Sequence, residues 1–284
     1  MTKNITLDNL ITKLEPISSI PEVVERLKKE LNNPYATVED IDKILRNDPN
    51  LTSLLLRIAN SSFYGFPKKV ETASQAMRMI GIEQIRILML GVSVVDYFKN
   101  LDGFNCLDLR SFWEHSIATG ITCKKIASLR KDHNSEIYFV MGLIHAIGRM
   151  VFFMQIPDVM NIVTKKSQDE RIPLNTAESE IIGFDNAEIA GEILSKWKYP
   201  EKIVDAIRYQ YYPSKSNDYS IEASTINIAN IIVHAAEIGD IGEKYQVPNL
   251  ESSSWKILNI EKTKVPLILE ELDNQIHKTM ELFF

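Results

Sequence analysis

Cysteine is scarce: the 284 residues contain two, Cys106 and Cys123, with no CxxC spacing. That excludes a disulfide framework and a zinc knuckle, and it fits ordinary thiols in a reducing compartment. Glycine loops that cradle phosphates are missing as well, since neither G-x-x-x-x-G-K-[ST] nor G-x-G-x-x-G occurs. The step Gly91-Val92-Ser93 lacks the closing glycine of a nucleophile elbow. Positive charge is not in excess. The net charge is -6, and basic residues such as Lys28, Lys29, Lys68, Lys69, Lys165 and Lys166 are dispersed. A protein that grips a phosphate backbone gathers its cations on one face, so nucleic acid is not an expected partner. Long apolar runs are lacking too: the stretch Ile85 to Val95 contains Arg86 and Ser93 and is shorter than a bilayer requires. No apolar segment ending in a cleavage site opens the chain. These absences predict a soluble, cytoplasmic protein without membrane insertion.

What is present is helical punctuation. Ser19, Pro21 and Glu22 form an S-x-x-E capping box before Val23, Val24, Leu27 and Leu31. Thr37 and Asp40 start a second helix, and Asp48 before Pro49 a third, with Leu51, Leu54, Leu55 and Ile58 at helical spacing. The segment Asn60 to Pro67 reads as a loop, Ala73 to Ile80 as a short helix closed by Gly81, and Ile82 to Phe98 as a helix covered on all sides. Lys99 to Asn105 is the expected hinge. Beyond it Asp108, Ser135 and Asp185 cap helices that carry His115, His145 and Asn186, Pro200 opens a helix through Ile207, and Ile226 to Ile238 forms another. The prediction is an all-α protein of two lobes, residues 1–100 and 101–284.

Two stretches carry a family resemblance. Asp48 to Gly91, with D-P-N-L-T-S-L-L-L-R-I-A-N-S-S-F-Y-G-F-P at its head, and the lead-in I-S-S-I-P-E-V-V from Ile17 resemble the N-terminal part of the HDOD family, relatives of the HD phosphohydrolases found in bacterial signalling proteins. F-W-E-H from Phe112, G-L-I-H-A-I-G-R-M from Gly142, N-A-E-I-A-G from Asn186, A-I-R-Y-Q-Y-Y-P from Ala206 and I-V-H-A-A-E from Ile232 follow the order of its HD-like half. The resemblance spans Ile17 to Gly239. It implies the two-lobe HDOD fold, a helical lobe packed on an HD-hydrolase-like lobe.

The same resemblance implies a degenerate metal site. His115 matches the first histidine and His145 the second, but Ala146 stands where active HD hydrolases have an aspartate. Asn186 occupies a position where related sequences often have His, Gln210 and Tyr211 sit where a His pair is common, and Glu237 replaces a late Asp. Asn and Gln lack charge and an imidazole nitrogen, so they ligate transition metals poorly. His115 and His145 are therefore read as core histidines, bonded to each other, to Glu237 or to water. The competing reading keeps His115, His145 and Glu237 as a two-His-one-carboxylate set with open positions.

Three functions follow from these residues. The preferred one is a non-catalytic signalling protein that binds unidentified signalling proteins, without metal or cofactor; no receiver or cyclic-dinucleotide domain lies within the sequence, so partners are expected in trans. The second is a divergent metal-dependent phosphohydrolase or phosphodiesterase acting on a nucleotide. The third is a metal-free receptor for a small nucleotide ligand, with Arg149, Lys124 or Lys125 meeting the phosphate. Phe63, Tyr64 and Phe66 are a candidate partner-binding loop, though packing back between helices is the favoured role for them. Tyr209, Tyr211 and Tyr212, if turned inward, would fill the volume of a lost metal site.

Overall fold

Side-chain caps begin some of the helices, but the expected Ser135 cap is not one of them: the helix that starts at Ser135 has no side-chain cap bond. In the computed structural model, which describes residues 5–12, 37–46, 49–60, 64, 66–99, 107–132, 134–243, 246–270 and 272–283, no strand occurs among the described residues. The expected Ser19–Glu22 box, the Asp48 cap, Phe63 and most of the expected hinge lie outside them. By contacts the chain divides into two compact units, one of Met1–Ser18 with Asp102–Glu270, the other of Ser19–Leu101 with Glu271–Phe284.

The smaller unit contains α2 (Val38–Arg46), α3 (Pro49–Ala59), α4 (Ala73–Ile80), α5 (Ile82–Lys99) and α16 (Leu272–Phe283). Thr37 and Asp40 cap α2 reciprocally: the Thr37 N–H donates to the Asp40 carboxylate at 3.1 Å and the Asp40 N–H to the Thr37 hydroxyl at 3.3 Å. Thr72 caps α4 through Gln75 N–H, and Gly81, at φ +102, turns the chain into α5. α5 buries Ile85, Leu88, Met89, Leu90, Val92, Val94, Val95 and Phe98, which is why nearly every face of it is apolar. The final helix departs from expectation. The sequence placed residues 271–284 with the C-terminal lobe, but α16 packs on α3 and buries Leu272, Ile276 and Met280 in the smaller unit.

The larger unit contains α1 (Leu7–Thr12), α6 (Leu109–Leu129), α7 (Ser135–Ile144), α8 (Ile147–Gln155), α9 (Pro157–Glu170), α10 (Leu174–Ile182), α11 (Asn186–Lys196), α12 (Glu201–Arg208), α13 (Ser220–Ala235), α14 (Ser253–Leu258) and α15 (Val265–Leu269). Asp108 caps α6 by accepting from Arg110 and Ser111 N–H, and Asp185 and Glu188 form a full capping box on α11. α6 and α7 make the central pair, with α13 packed against both. Glycine permits their approach: a Cβ on Gly142 would stand 2.6 Å from the Gly120 Cα.

The helix predicted from Ser135 through Ile147 is instead broken. His145 (φ -60, ψ -30) ends α7, Ala146 (φ -102, ψ 7) is the joint, and Ile147 starts α8. This region also contains the apolar segment that the sequence reading passed over: Ser135–Gln155 is long and apolar enough to cross a membrane by length and composition, yet 94% of its window is buried inside the protein. Packing inside the fold accounts for the apolar composition of this segment.

Candidate functional site

Three imidazoles meet in the larger unit. His115 projects from the first third of α6, His145 from the break after α7, and His234 from the last turn of α13; ring centroids lie 5.7 Å apart for His115 and His145 and 4.4 Å for His115 and His234. Each ring is tied through Nδ1 to a backbone carbonyl: His115 to Ile238 at 3.0 Å, His145 to Gly142 at 2.7 Å and His234 to Asn230 at 2.9 Å. A carbonyl only accepts, so each Nδ1 carries the proton and each Nε2 presents a lone pair. His115 Nε2 lies 2.9 Å from Asn230 Oδ1. With Nδ1 carrying the proton, a hydrogen bond at this contact requires the Asn230 amide turned so that its NH2 group replaces Oδ1 toward the ring. No direct bond joins His115 to His145.

Burial keeps all three rings neutral. Desolvation holds the His115 pKa well below the ordinary 6.5, with the His234 ring adding to the effect, and depresses His145 and His234 to about 3. Arg149 lowers each of them further.

Arg149, one turn beyond His145 on α8, is fully buried. Its Nε donates to Glu178 Oε1 at 2.9 Å, its Nη1 to Glu243 Oε2 at 3.1 Å and its Nη2 to the Tyr211 hydroxyl at 3.4 Å. Desolvation works against the guanidinium charge, but Glu178, Tyr211 and Glu243 more than offset it, and Arg149 stays protonated. The second Glu178 oxygen accepts from the Asn186 backbone at 2.9 Å and from Asn186 Nδ2 at 2.8 Å. Asn186 Nδ2 also reaches the Tyr211 hydroxyl at 3.0 Å, and Leu174 N–H donates to Glu243 Oε1 at 2.6 Å. Glu243 Oε2 lies 3.7 Å from His234 Nε2. Burial pushes the Glu243 carboxyl up to about 7, and Arg149 limits the rise.

Of the positions named from sequence, His115, His145, Asn186 and Gln210 are all buried in this region. Gln210 Nε2 donates to the His145 backbone carbonyl at 2.9 Å. Glu237 does not join them: α13 ends at Ala235, Glu237 turns away at φ +55, and its side chain is exposed. Its expected place beside the histidines is taken by Glu243, which reaches in from the loop after Gly239. A Cβ on Gly239, at φ +64, would stand 2.4 Å from the His115 backbone nitrogen, so only glycine lets this loop close on α6. Of the three tyrosines, Tyr211 points inward, Tyr209 is half-buried, and Tyr212 is exposed with Lys215 over its ring. Tyr64 and Phe66 are half-buried and stack on each other at 5.6 Å, while Phe63 lies outside the described residues.

The cations assigned to a nucleotide phosphate are already engaged. Arg149 is sealed in its ion pairs, Lys124 Nζ lies 3.5 Å from Glu136, and Lys125 bonds the Glu270 carbonyl. Sequence reading also missed His234, Asn230, Glu178 and Glu243. The signal for His234 was its place in I-V-H-A-A-E at the end of an apolar helix; nothing local marked the two glutamates.

Each histidine has Nδ1–H fixed by a carbonyl, the posture of a metal ligand, but only His145 Nε2 is without a partner; His115 Nε2 meets Asn230 and His234 Nε2 faces Glu243. The charge does not fit. Ala146 supplies no carboxylate, both nearby carboxylates are held by Arg149, and a guanidinium in their midst repels a divalent cation. Among the described residues no group of three or more His, Cys, Asp or Glu side chains is arranged to hold a metal ion.

Comparison with known proteins places these features. The profile of the HDOD domain matches residues 17–213. A curated relative, an uncharacterized protein of Treponema pallidum (strain Nichols), is 24% identical over 228 residues, 79% of this chain; the chain spans only 44% of that protein. An HDOD domain protein of unknown function from Geobacter sulfurreducens superposes with a TM-score of 0.78 at 22% identity, covering 98% of this chain and 97% of that one. A protein of Shewanella amazonensis SB2B provisionally named a phosphohydrolase gives 0.74 at 26% identity, with 96% of each chain covered. One of Marinobacter aquaeolei VT8 provisionally named a signal transduction protein gives 0.73 at 18%, with 100% and 68% covered.

Proposed function

This chain belongs to the HDOD domain family, and from that membership we propose that it is a regulatory protein of bacterial signal transduction that acts by binding other proteins and not by hydrolysis. One observation carries the reading: the buried Arg149 guanidinium occupies both carboxylates that stand near the histidines, and Ala146 replaces the acid. The positive charge that a hydrolase takes from a dication is supplied here by the chain itself. A guanidinium satisfies carboxylates but cannot lower the pKa of a bound water as a divalent ion does. The site then serves as a polar core that fixes α6, α8, α10, α11 and the loop after Gly239 in one arrangement.

A divergent metal-dependent phosphohydrolase acting on a nucleotide is the second reading, favoured by the shared tautomer of His115, His145 and His234. Elemental analysis of protein purified without chelator separates the two. The expected result is less than stoichiometric Fe, Mn or Zn, and no hydrolysis of bis(p-nitrophenyl) phosphate with these metals added. Stoichiometric metal that disappears in His145→Ala, together with turnover, would establish the second reading in place of the first.

A further inference from the structure

The smaller unit contains a built cleft that the histidine site does not involve. Its volume is about 870 Å³, within the range of roughly 300–1,000 Å³ common for small-molecule sites. One wall is a stripe of α3 with Pro49, Ser53, Leu56 and Arg57 at helical spacing; the other is the extended segment through Lys69 and Glu71. The walls are clamped together. Asn60 Nδ2 donates to the Val70 carbonyl at 2.7 Å and the Val70 N–H donates back to Asn60 Oδ1 at 2.7 Å, while the Val70 side chain is buried in the core beneath. This two-way amide pair makes the separation of the walls a property of the fold and not of a loose loop.

Arg57 and Lys69 are exposed, one on each wall, and neither has a carboxylate partner among the described residues. By contrast, Arg86 pairs with Glu83 at 3.5 Å. Two cations and one carboxylate, Glu71, therefore line one concavity, which leaves it net positive on a chain of net charge -6. Between them they offer a fork and a point charge, the combination that suits a phosphoryl group. Glu71 lies on the same wall as Lys69 and its carboxylate can accept hydrogen bonds; Pro49 and Leu56 give the α3 wall apolar surface. We propose that this cleft binds a phosphate-bearing small molecule of nucleotide size, with Arg57 and Lys69 on the phosphate and Glu71 on a hydroxyl or amine of its body.

Calorimetric titration of the full chain at low ionic strength, where exposed charges are least screened, tests this with inorganic phosphate, pyrophosphate, AMP and GMP as probes. Saturable one-site binding is expected, tighter for a nucleoside monophosphate than for inorganic phosphate. Arg57→Gln and Lys69→Gln should each weaken it tenfold or more, and Lys68→Gln, an exposed neighbour outside the cleft, should leave it unchanged. Glu71→Gln should weaken the nucleotide but not inorganic phosphate. Absence of saturable binding to every probe would overturn the proposal, as would equal loss in Lys68→Gln, which would mark diffuse charge. Thermal melts of the variants, all at exposed positions, confirm that lost binding is not lost folding.

Discussion

A fully buried guanidinium is tolerated only when it is paired, and each of the three Arg149 nitrogens donates, to Glu178, Glu243 and Tyr211. Replacing it therefore harms the protein chiefly through the carboxylates it leaves behind. Arg149→Met is expected to lower stability by about 3–5 kcal/mol in urea denaturation, since breaking a buried pair strands an uncompensated charge. Adding Glu178→Gln and Glu243→Gln should restore half or more of that loss. A triple variant no more stable than the single one would show that Arg149 acts through packing alone. At this scale the sequence revealed His115, His145 and the missing acid, because the HD-like motif marks them locally. It could not reveal Glu178 and Glu243, which sit in segments without a motif and meet Arg149 only through the packing of α8, α10 and the loop after Gly239. Glu237 misled for a related reason: it stands at the motif position of a late Asp, but the helix that would have aimed it inward ends two residues earlier.

Among the elements, the contact of α6 with α7 controls where two of the imidazoles stand. Gly120 lies five residues after His115 and Gly142 three before His145, and the Gly142 carbonyl accepts the His145 Nδ1–H. A side chain at the crossing would wedge backbone from backbone. Gly142→Ala should cost about 1–3 kcal/mol, the usual range for overpacking, read as a lower denaturation midpoint with an unchanged denaturant slope. An unchanged midpoint would mean that the two helices part without strain. Helix existence was legible throughout this unit because caps such as Asp108 and Asp185 are local chemistry. The break at His145 and Ala146 was not, since apolar residues run on through it and no proline or glycine interrupts the pattern at that point. The placement of α16 was equally hidden: its apolar face is visible in the sequence, but which unit it covers depends on where Leu272, Ile276 and Met280 find a vacant surface.

For the whole molecule, acid should expose the balance between buried imidazoles and buried carboxyls. Unfolded, each of His115, His145 and His234 takes a proton near pH 6.5; folded, the depressed values delay protonation to about pH 3 for His145 and His234 and to well below 6.5 for His115. Their contribution to stability is thus complete above 6.5 and is lost as pH falls. Glu243 and Asp185 act in the opposite sense. Burial raises both to about 7, and Glu178 adds to the rise at Asp185, whereas unfolded they hold out to 4.5 and 3.8. Between pH 6.5 and 4.5 the folded chain therefore binds two of the three protons that the unfolded chain binds, and the net loss is one proton, about 1.4 kcal/mol per pH unit. Below 4.5 the unfolded carboxyls take up protons too while His145 and His234 begin to protonate in the fold near 3, so the deficit reaches about two protons and the slope about 3 kcal/mol per unit. Stability measured by urea titration across pH should peak near 6.5–7, decline gently to about 4.5, and then collapse. A steep fall beginning at 6.5 would show the carboxyls ionised in the fold, with Arg149 outweighing their burial. A flat profile down to about pH 4.5 would show the fold binding as many protons as the unfolded chain, as with one imidazole charged inside it, and a site able to hold that added positive charge would revive the case for a metal ion among them.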